Sequence, residues 1–222
     1  MADSRNMAVI GLGTFGAALA RELTRMGDRV VGIDKNADCV AARDGEMGQV
    51  MQLDASDPRA LAQCGLDAHD AVVICIGDDI QASTVAAMNA RDLGCAQVWV
   101  KASSAAHERI LRAVGIDHIM RPEQDHALLV AHKLHNPGLR DVIGLGADGA
   151  GHARYVAHLR MPVGGIGKTL DGLGLSKMGL TCLGLVRDGH VLPCDGAQEL
   201  AHTDGLLLHG RRDNLRAFSK RG

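Results

Sequence analysis

Three glycines and one carboxylate have the spacing of a phosphate and ribose site. Gly11, Gly13 and Gly16 form G-x-G-x-x-G within MAVIGLGTFG, and Asp34 stands eighteen residues after Gly16. Each glycine answers a separate steric demand. Gly11 permits a tight turn. Gly13 lets an anion reach the backbone. Gly16 lets a helix pack close to a strand. The N–H groups at the start of that helix, with the positive end of its dipole, suit a phosphate. Asp34 suits the acceptance of hydrogen bonds from ribose hydroxyls. Only Lys35 and Asn36 follow it, with no arginine, so a 2′-phosphate is poorly provided for. The glycines alone are equally compatible with a turn that binds nothing; the acid at the end of the next strand argues for a nucleotide.

Positioning these residues needs strand, turn, helix and strand in that order. Met7–Ile10 is aliphatic and runs straight into the glycines. Phe15, Ala18, Leu19, Leu23 and Met26 then recur at helical spacing. Arg29–Ile33 reads as a second strand ending at Asp34. A short helix over Ala37–Asp44, a third strand over Gln49–Leu53 and a helix started by Ser56 or Asp57 with Pro58 follow. Ala71–Ile76 is a continuous apolar run, as a parallel strand covered on both faces requires. A helix over Ile80–Leu93, a strand over Gln97–Val100, a helix over Ala105–Val114, a short strand over His118–Met120 and a helix over Gln124–His135 complete the alternation. That alternation predicts an α/β fold with a doubly wound, Rossmann-like parallel sheet, spanning residues 5–136.

Asn136-Pro137-Gly138 ends the last helix, and 137–151, with its glycine-rich GLGADGAGH at 144–152, reads as a linker. Residues 152–222 read as a small α+β domain. Its expected parts are a strand over Arg154–Leu159, a short helix from Gly167 to Ser176, and a hairpin of Thr181–Arg187 and His190–Leu192 about Asp188-Gly189. A strand over Leu206–His209 and a helix over Arg211–Ser219 follow. The run Gly164-Gly165-Ile166-Gly167-Lys168-Thr169 imitates a phosphate-binding loop, but that motif needs glycine where Pro162 stands.

Composition narrows the function. A formal charge of -2, with no long basic run, argues against nucleic acid as a partner. No apolar run approaches the ~20 residues that cross a bilayer, and MADSRNMAV carries no signal-peptide core. Six cysteines without C-x-x-C spacing read as reduced core thiols of a cytosolic protein. His132 and His135 share a helical face but show no third metal ligand. Aromatic residues are 2% of the chain, so the core must be aliphatic.

These stretches together resemble the RCK-type regulators of potassium transport, the cytosolic nucleotide-binding subunits of Ktr and Trk systems. The matching segments are AVIGLGTFG at 8–16, VVGIDKN at 30–36, LDASD at 53–57, AVVICIGDDIQAS at 71–83, VWVKA at 98–102 and ILRAVGIDHIMRPEQD at 110–125. GKTLDGLGL at 167–175 and LVRDGHVLPC at 185–194 match in the small domain. A single copy of the two-domain unit is more similar to Ktr than to Trk. The resemblance implies a nucleotide, ATP/ADP or NAD(H), held by Gly11, Leu12, Gly13, Thr14, Phe15 and Gly16, with Asp34 and Lys35 at the ribose. It implies contact with the adenine at Asp54 and Ala55, and further contacts from Ile76, Gly77, Ser83 and Lys101. Asp54 also reads as a helix cap, and Ser83 as an ordinary helical serine. Glu123 is implied near the dimer mate and a divalent cation, Mg or Ca; a helix N-terminus equally favours it. Ktr chains usually carry arginine in G-L-G-R-F-G where this chain has Thr14, which removes a bidentate phosphate contact.

The implied role is not enzymatic: a peripheral subunit on the inner face of the cell membrane that gates a potassium-translocating partner. The implied assembly is a homodimer within an octameric ring. Two other readings compete. An NAD-dependent oxidoreductase needs a substrate domain, and His152, His158, His190, His202 and His209 are scattered without orienting partners. A non-catalytic interaction protein with a decayed site predicts a degraded fingerprint, and this one departs only at Thr14.

Overall fold

The computed structural model describes residues 4–147, 149 and 151–221. The chain divides into two compact units, Met1–Pro122 and Glu123–Gly222.

The first unit is a six-stranded sheet of β1 (Asn6–Ile10), β2 (Arg29–Asp34), β3 (Gln49–Gln52), β4 (Ala71–Ile74), β5 (Val98–Lys101) and β6 (His118–Met120). Their order is β3-β2-β1-β4-β5-β6, with every neighbouring pair parallel. The helices between them are α1 (Thr14–Arg25), α2 (Ala37–Ala41), α3 (Pro58–Ala62), α4 (Ile80–Asp92) and α5 (Ala105–Ala113). Alternation along β1 builds two cores. Ala8 and Ile10 join Ile33, Val72 and Ile74 against Ala86, Ala87 and Ala90 of α4 and Leu111 of α5. Met7 and Val9 join Val30 and Val73 against Leu12 of the glycine turn and Ala20 of α1. Both faces of the sheet are therefore covered, which is the doubly wound arrangement that the apolar β4 requires. The expected cap is in place: Asp57 accepts from the backbone of Arg59 and Ala60, with Pro58 behind it. Asp79, not expected as a cap, accepts from the Ala82 N–H at the start of α4. The helix expected over Ala37–Asp44 stops at Ala41 and continues as turns.

The second unit is a five-stranded antiparallel sheet. Its strands are β7 (Leu139–Ala147), β8 (Ala153–Arg160), β9 (Leu180–Arg187), β10 (His190–Leu192) and β11 (Gly205–Arg211), in the order β10-β9-β11-β8-β7. Two helices accompany it, α6 (Pro122–His135), all but its first residue in this unit, and α7 (Arg212–Ser219). The core gathers Ala157, Leu159, Leu185, Leu206, Leu208, Leu215 and Phe218. Asp188 and Gly189, at φ 50° and 80°, make the expected hairpin turn between β9 and β10.

Three expectations change. The stretch 137–151, expected as a linker, contains the nine-residue β7, and α6 belongs with the second unit from Glu123 onward. Glycine content concealed a strand whose partner, β8, comes later in the chain. Asp148 and Ala150 of that stretch lie outside the described residues. The expected helix over Gly167–Ser176 is instead two single 3-10 turns, Asp171–Leu173 and Ser176–Met178, each stopped by a left-handed glycine, Gly174 and Gly179.

Candidate functional site

The carboxyl ends of β1, β2, β3 and β4 surround an open cavity of about 280 Å³. It is lined by Ile10, Gly11 and Gly13 after β1, by Asp34, Lys35, Asn36 and Cys39 after β2, and by Leu53, Asp54 and Ala55 after β3. Cys75, Ile76, Gly77, Asp78, Asp79 and Ala82 complete it after β4. This is where ligands bind in open parallel sheets, at the switch in strand order on either side of β1.

The glycine turn is built by backbone contacts. Gly11 has φ +93°, and a Cβ there would lie 3.0 Å from the Cys75 carbonyl carbon and the Ile76 nitrogen. At Gly16 a Cβ would lie 1.9 Å from the Gly11 oxygen, so only glycine lets α1 approach β1 this closely. At Gly13 nothing lies within 4 Å of an added Cβ. Its backbone faces open space at the mouth of α1. Gly13 is the N-cap of that helix and supplies no side-chain cap, and the first turn contains no acid. The first N–H groups of α1 thus have no cap and no acid from the helix's own first turn.

Asp34 is oriented by two backbone donors. One carboxylate oxygen accepts from the Leu12 N–H at 2.7 Å and the other from the Asn36 N–H at 2.9 Å. A carboxylate offers about four lone-pair sites, so acceptor capacity remains on each oxygen. Asp54 is tied back in a similar way. Hydrogen bonds from the Ser56 hydroxyl and backbone N–H hold its carboxyl below the usual range. Lys101 ends β5 beside this rim. Its Nζ lies 3.4 Å from where a Gly77 Cβ would stand and 5.8 Å from the centre of the Phe15 ring.

The cavity brings together Gly11, Gly13, Asp34, Lys35, Asp54, Ala55, Ile76 and Gly77 of the expected residues. Leu12 and Gly16 are buried beneath it, Leu12 as the donor to Asp34. Thr14 is the exposed first residue of α1, and neither it nor Phe15 nor Lys101 is part of the lining. Ser83 is fully buried on α4. Glu123 lies on α6, in the second unit. Ile10, Asn36, Cys39, Leu53, Cys75, Asp78, Asp79 and Ala82 are lining residues outside the expected set. All lie at the carboxyl end of a strand or in the loop and first helical turn that follow it, and that position is the signal that could have found them. Asp78 and Asp79 matter most, because they give the lining four carboxylates against one ammonium, that of Lys35.

His132, singled out as half of an H-x-x-H pair, instead meets an Arg212 guanidinium nitrogen through its Nε2. Among the described residues no group of three His, Cys, Asp or Glu could hold a metal ion.

The TrkA-N domain family model matches residues 7–122. The chain is 34% identical over 213 residues to Ktr system potassium uptake protein A of Vibrio alginolyticus, covering 95% of this chain and 94% of that protein. It is 30% identical over 219 residues to Ktr system potassium uptake protein C of Bacillus subtilis, covering 98% and 97%. Among solved structures, the GsuK channel bound to NAD superposes with a TM-score of 0.66 at 16% identity, covering 99% of this chain and 40% of that one. At that identity the likeness is one of fold. The TrkA-N match and the near full-length Ktr relatives identify the chain as a member of the RCK-domain family of potassium-transport regulators, of the Ktr type.

Proposed function

We propose that this chain is the nucleotide-sensing regulatory subunit of a Ktr-type potassium uptake system. The observation that carries the reading is the cavity at the carboxyl ends of β1–β4, with Asp34 held by two backbone N–H groups and lone pairs left over. The names of the Ktr relatives support potassium uptake as the process, and the NAD in GsuK supports a nucleotide as the ligand. The ribose hydroxyls donate to Asp34. The phosphates lie against the turn from Gly11 to Gly16 and the start of α1. Ile76, Gly77 and Ala55 flank the adenosine.

The charge of the lining bears on the ligand. Four carboxylates face one ammonium, and Thr14 brings no guanidinium. A triphosphate enters this field with more negative charge than ADP or NAD(H) does, so the site favours the less charged ligands. Glu123 bound to Mg or Ca would need phosphate oxygens or a second copy of the chain to complete the coordination, because no three-ligand group exists among the described residues.

The role is a switch and not a turnover reaction. A nucleotide shifts the subunit between conformations to the extent that it binds one better than the other, and the translocating partner reads the result. No helix among the described residues is long and apolar enough to cross a membrane; the subunit acts from the cytoplasmic face through that partner. Leu128 and Leu134 on α6 and Ile143 and Leu145 on β7 are exposed apolar side chains, and they suit burial in a homodimer of an octameric ring.

The test is potassium flux into liposomes carrying a Ktr-type translocating subunit, with this chain added. NADH, ADP or ATP should change the flux several-fold, and Asp34→Ala should remove the change. Flux indifferent to every nucleotide would refute the reading.

A further inference from the structure

The second unit brings two thiols, twelve positions apart, to 2.8 Å between their sulfurs. Cys182 is on β9, and Cys194 follows β10 by two residues. Three features fix the approach. The Asp188-Gly189 turn folds β10 back on β9, with Leu192 opposite Leu185. Next to Cys182, β9 slips register against β11: Gly184 faces Leu207 and Cys182 faces Leu208, which leaves Leu183 as an extra residue. Such a bulge bends its strand and re-aims the neighbouring side chains. At Gly184 the hairpin is so close that a Cβ would lie 2.7 Å from Val191 Cγ1.

The two thiols are in unlike surroundings. Cys194 is exposed, contrary to the expectation of core thiols, and donates to the sulfur of half-buried Cys182. Cys182 also faces the Gly184 carbonyl oxygen at 3.7 Å. The thiols of Cys64 and Cys95 donate to the carbonyl oxygens of Ala60 and Leu66, and Cys75 is a buried residue of the first unit's cavity lining.

We propose that Cys182 and Cys194 form a thiol–disulfide exchange site, whose co-substrate is a low-molecular-weight disulfide of the glutathione class. Exposure sets the order of events. The Cys194 thiolate attacks one sulfur of the disulfide RSSR, forms the mixed disulfide Cys194–S–S–R and releases RS⁻, which takes up a proton. Cys182 gives its proton to solvent and attacks the Cys194 sulfur. The Cys182–Cys194 bond forms, and the second RS⁻ leaves and is protonated. In total two protein thiols lose two electrons and two protons, and RSSR becomes two RSH. The half-buried thiol suits the second step. Burial first, and then the neighbouring Cys194, push Cys182 up to about 12. Capping Cys194 in the mixed disulfide removes that thiol's share of the shift, so the resolving thiol becomes easier to ionise as it is needed.

The bond would tie β9 to the chain beyond β10. β10 is a three-residue edge strand with every residue exposed, paired on one side only. Closing the hairpin there holds an edge that is otherwise free to fray.

The experiment treats the full chain with glutathione disulfide, blocks the remaining thiols by alkylation and maps the peptides without reduction. The expected product joins the peptide carrying Cys182 to that carrying Cys194, lighter by two hydrogens, and dithiothreitol restores the thiols. In Cys182→Ser, the Cys194–glutathione adduct should persist. Wild-type protein that retains a stable Cys194–glutathione adduct, remains unreacted, or links other cysteines instead would overturn the proposal. The decisive readout is on wild-type protein and does not depend on how a variant folds.

Discussion

At the scale of single residues, the three fingerprint glycines do different work, and substitution separates them. An alanine Cβ at Gly16 would stand 1.9 Å from the Gly11 oxygen, with no flexible side chain to give way. Gly16→Ala should lower stability by about 3 kcal/mol or more, read from urea unfolding. Gly13→Ala meets nothing within 4 Å. It should change stability by less than about 1 kcal/mol while weakening nucleotide affinity, because its methyl group occupies the phosphate approach. Thr14 is exposed at the first position of α1. Thr14→Arg places a guanidinium beside a lining rich in carboxylates and should raise the affinity for ATP more than for adenosine, measured by calorimetry on one protein. Equal gains for both would show that this position does not meet the phosphates. The places of these residues in the turn and at the start of α1 were legible because each rests on local spacing. The acidity contributed by Asp78 and Asp79 was not: the pair reads as an ordinary turn until β4 is seen beside β1 and β2.

At the scale of elements, a half-buried ion pair ties β9 to the turn before β11. The Asp204 carboxylate, almost fully buried, accepts from Arg187 Nε at 2.8 Å and Nη2 at 2.7 Å, and from the Ala201 N–H at 2.7 Å. Hydrogen bonds from Arg187 hold its carboxyl below the usual carboxylate range. A depressed folded-state pKa adds stability above the unfolded-state value near 3.9, and that stability is lost as pH falls through the folded value. Unfolding of the wild type should therefore steepen below about pH 4. Asp204→Asn should cost about 2–4 kcal/mol at pH 7 and flatten the acid limb. Chemical denaturation across the pH series checks both. Regular elements with strong periodicity, such as β1, α1 and β4, could be read directly from the sequence. β7 could not, because Gly144 and Gly146 read as loop and its pairing with β8 is a tertiary fact. The closeness of Cys182 and Cys194 was hidden for the same reason: it depends on a hairpin and a bulge, neither of which sets a cysteine spacing.

At the scale of the whole molecule, two units with separate cores share one chain. The first carries the cavity that suits a nucleotide, and the second carries an antiparallel sheet with its own chemistry at Cys182 and Cys194. A regulatory subunit needs the first to report on its ligand, so the account stands or falls on binding there. Titration calorimetry of the full chain with NADH and ADP, beside Asp34→Ala shown to be folded by its thermal transition, measures this most directly. The account predicts saturable one-site binding by the wild type. It predicts that losing the hydrogen bonds from ribose to carboxylate costs about 2–4 kcal/mol, or roughly thirty- to a thousand-fold in affinity. No binding of either nucleotide by the wild type, or a variant affinity within about threefold of the wild type, would contradict it.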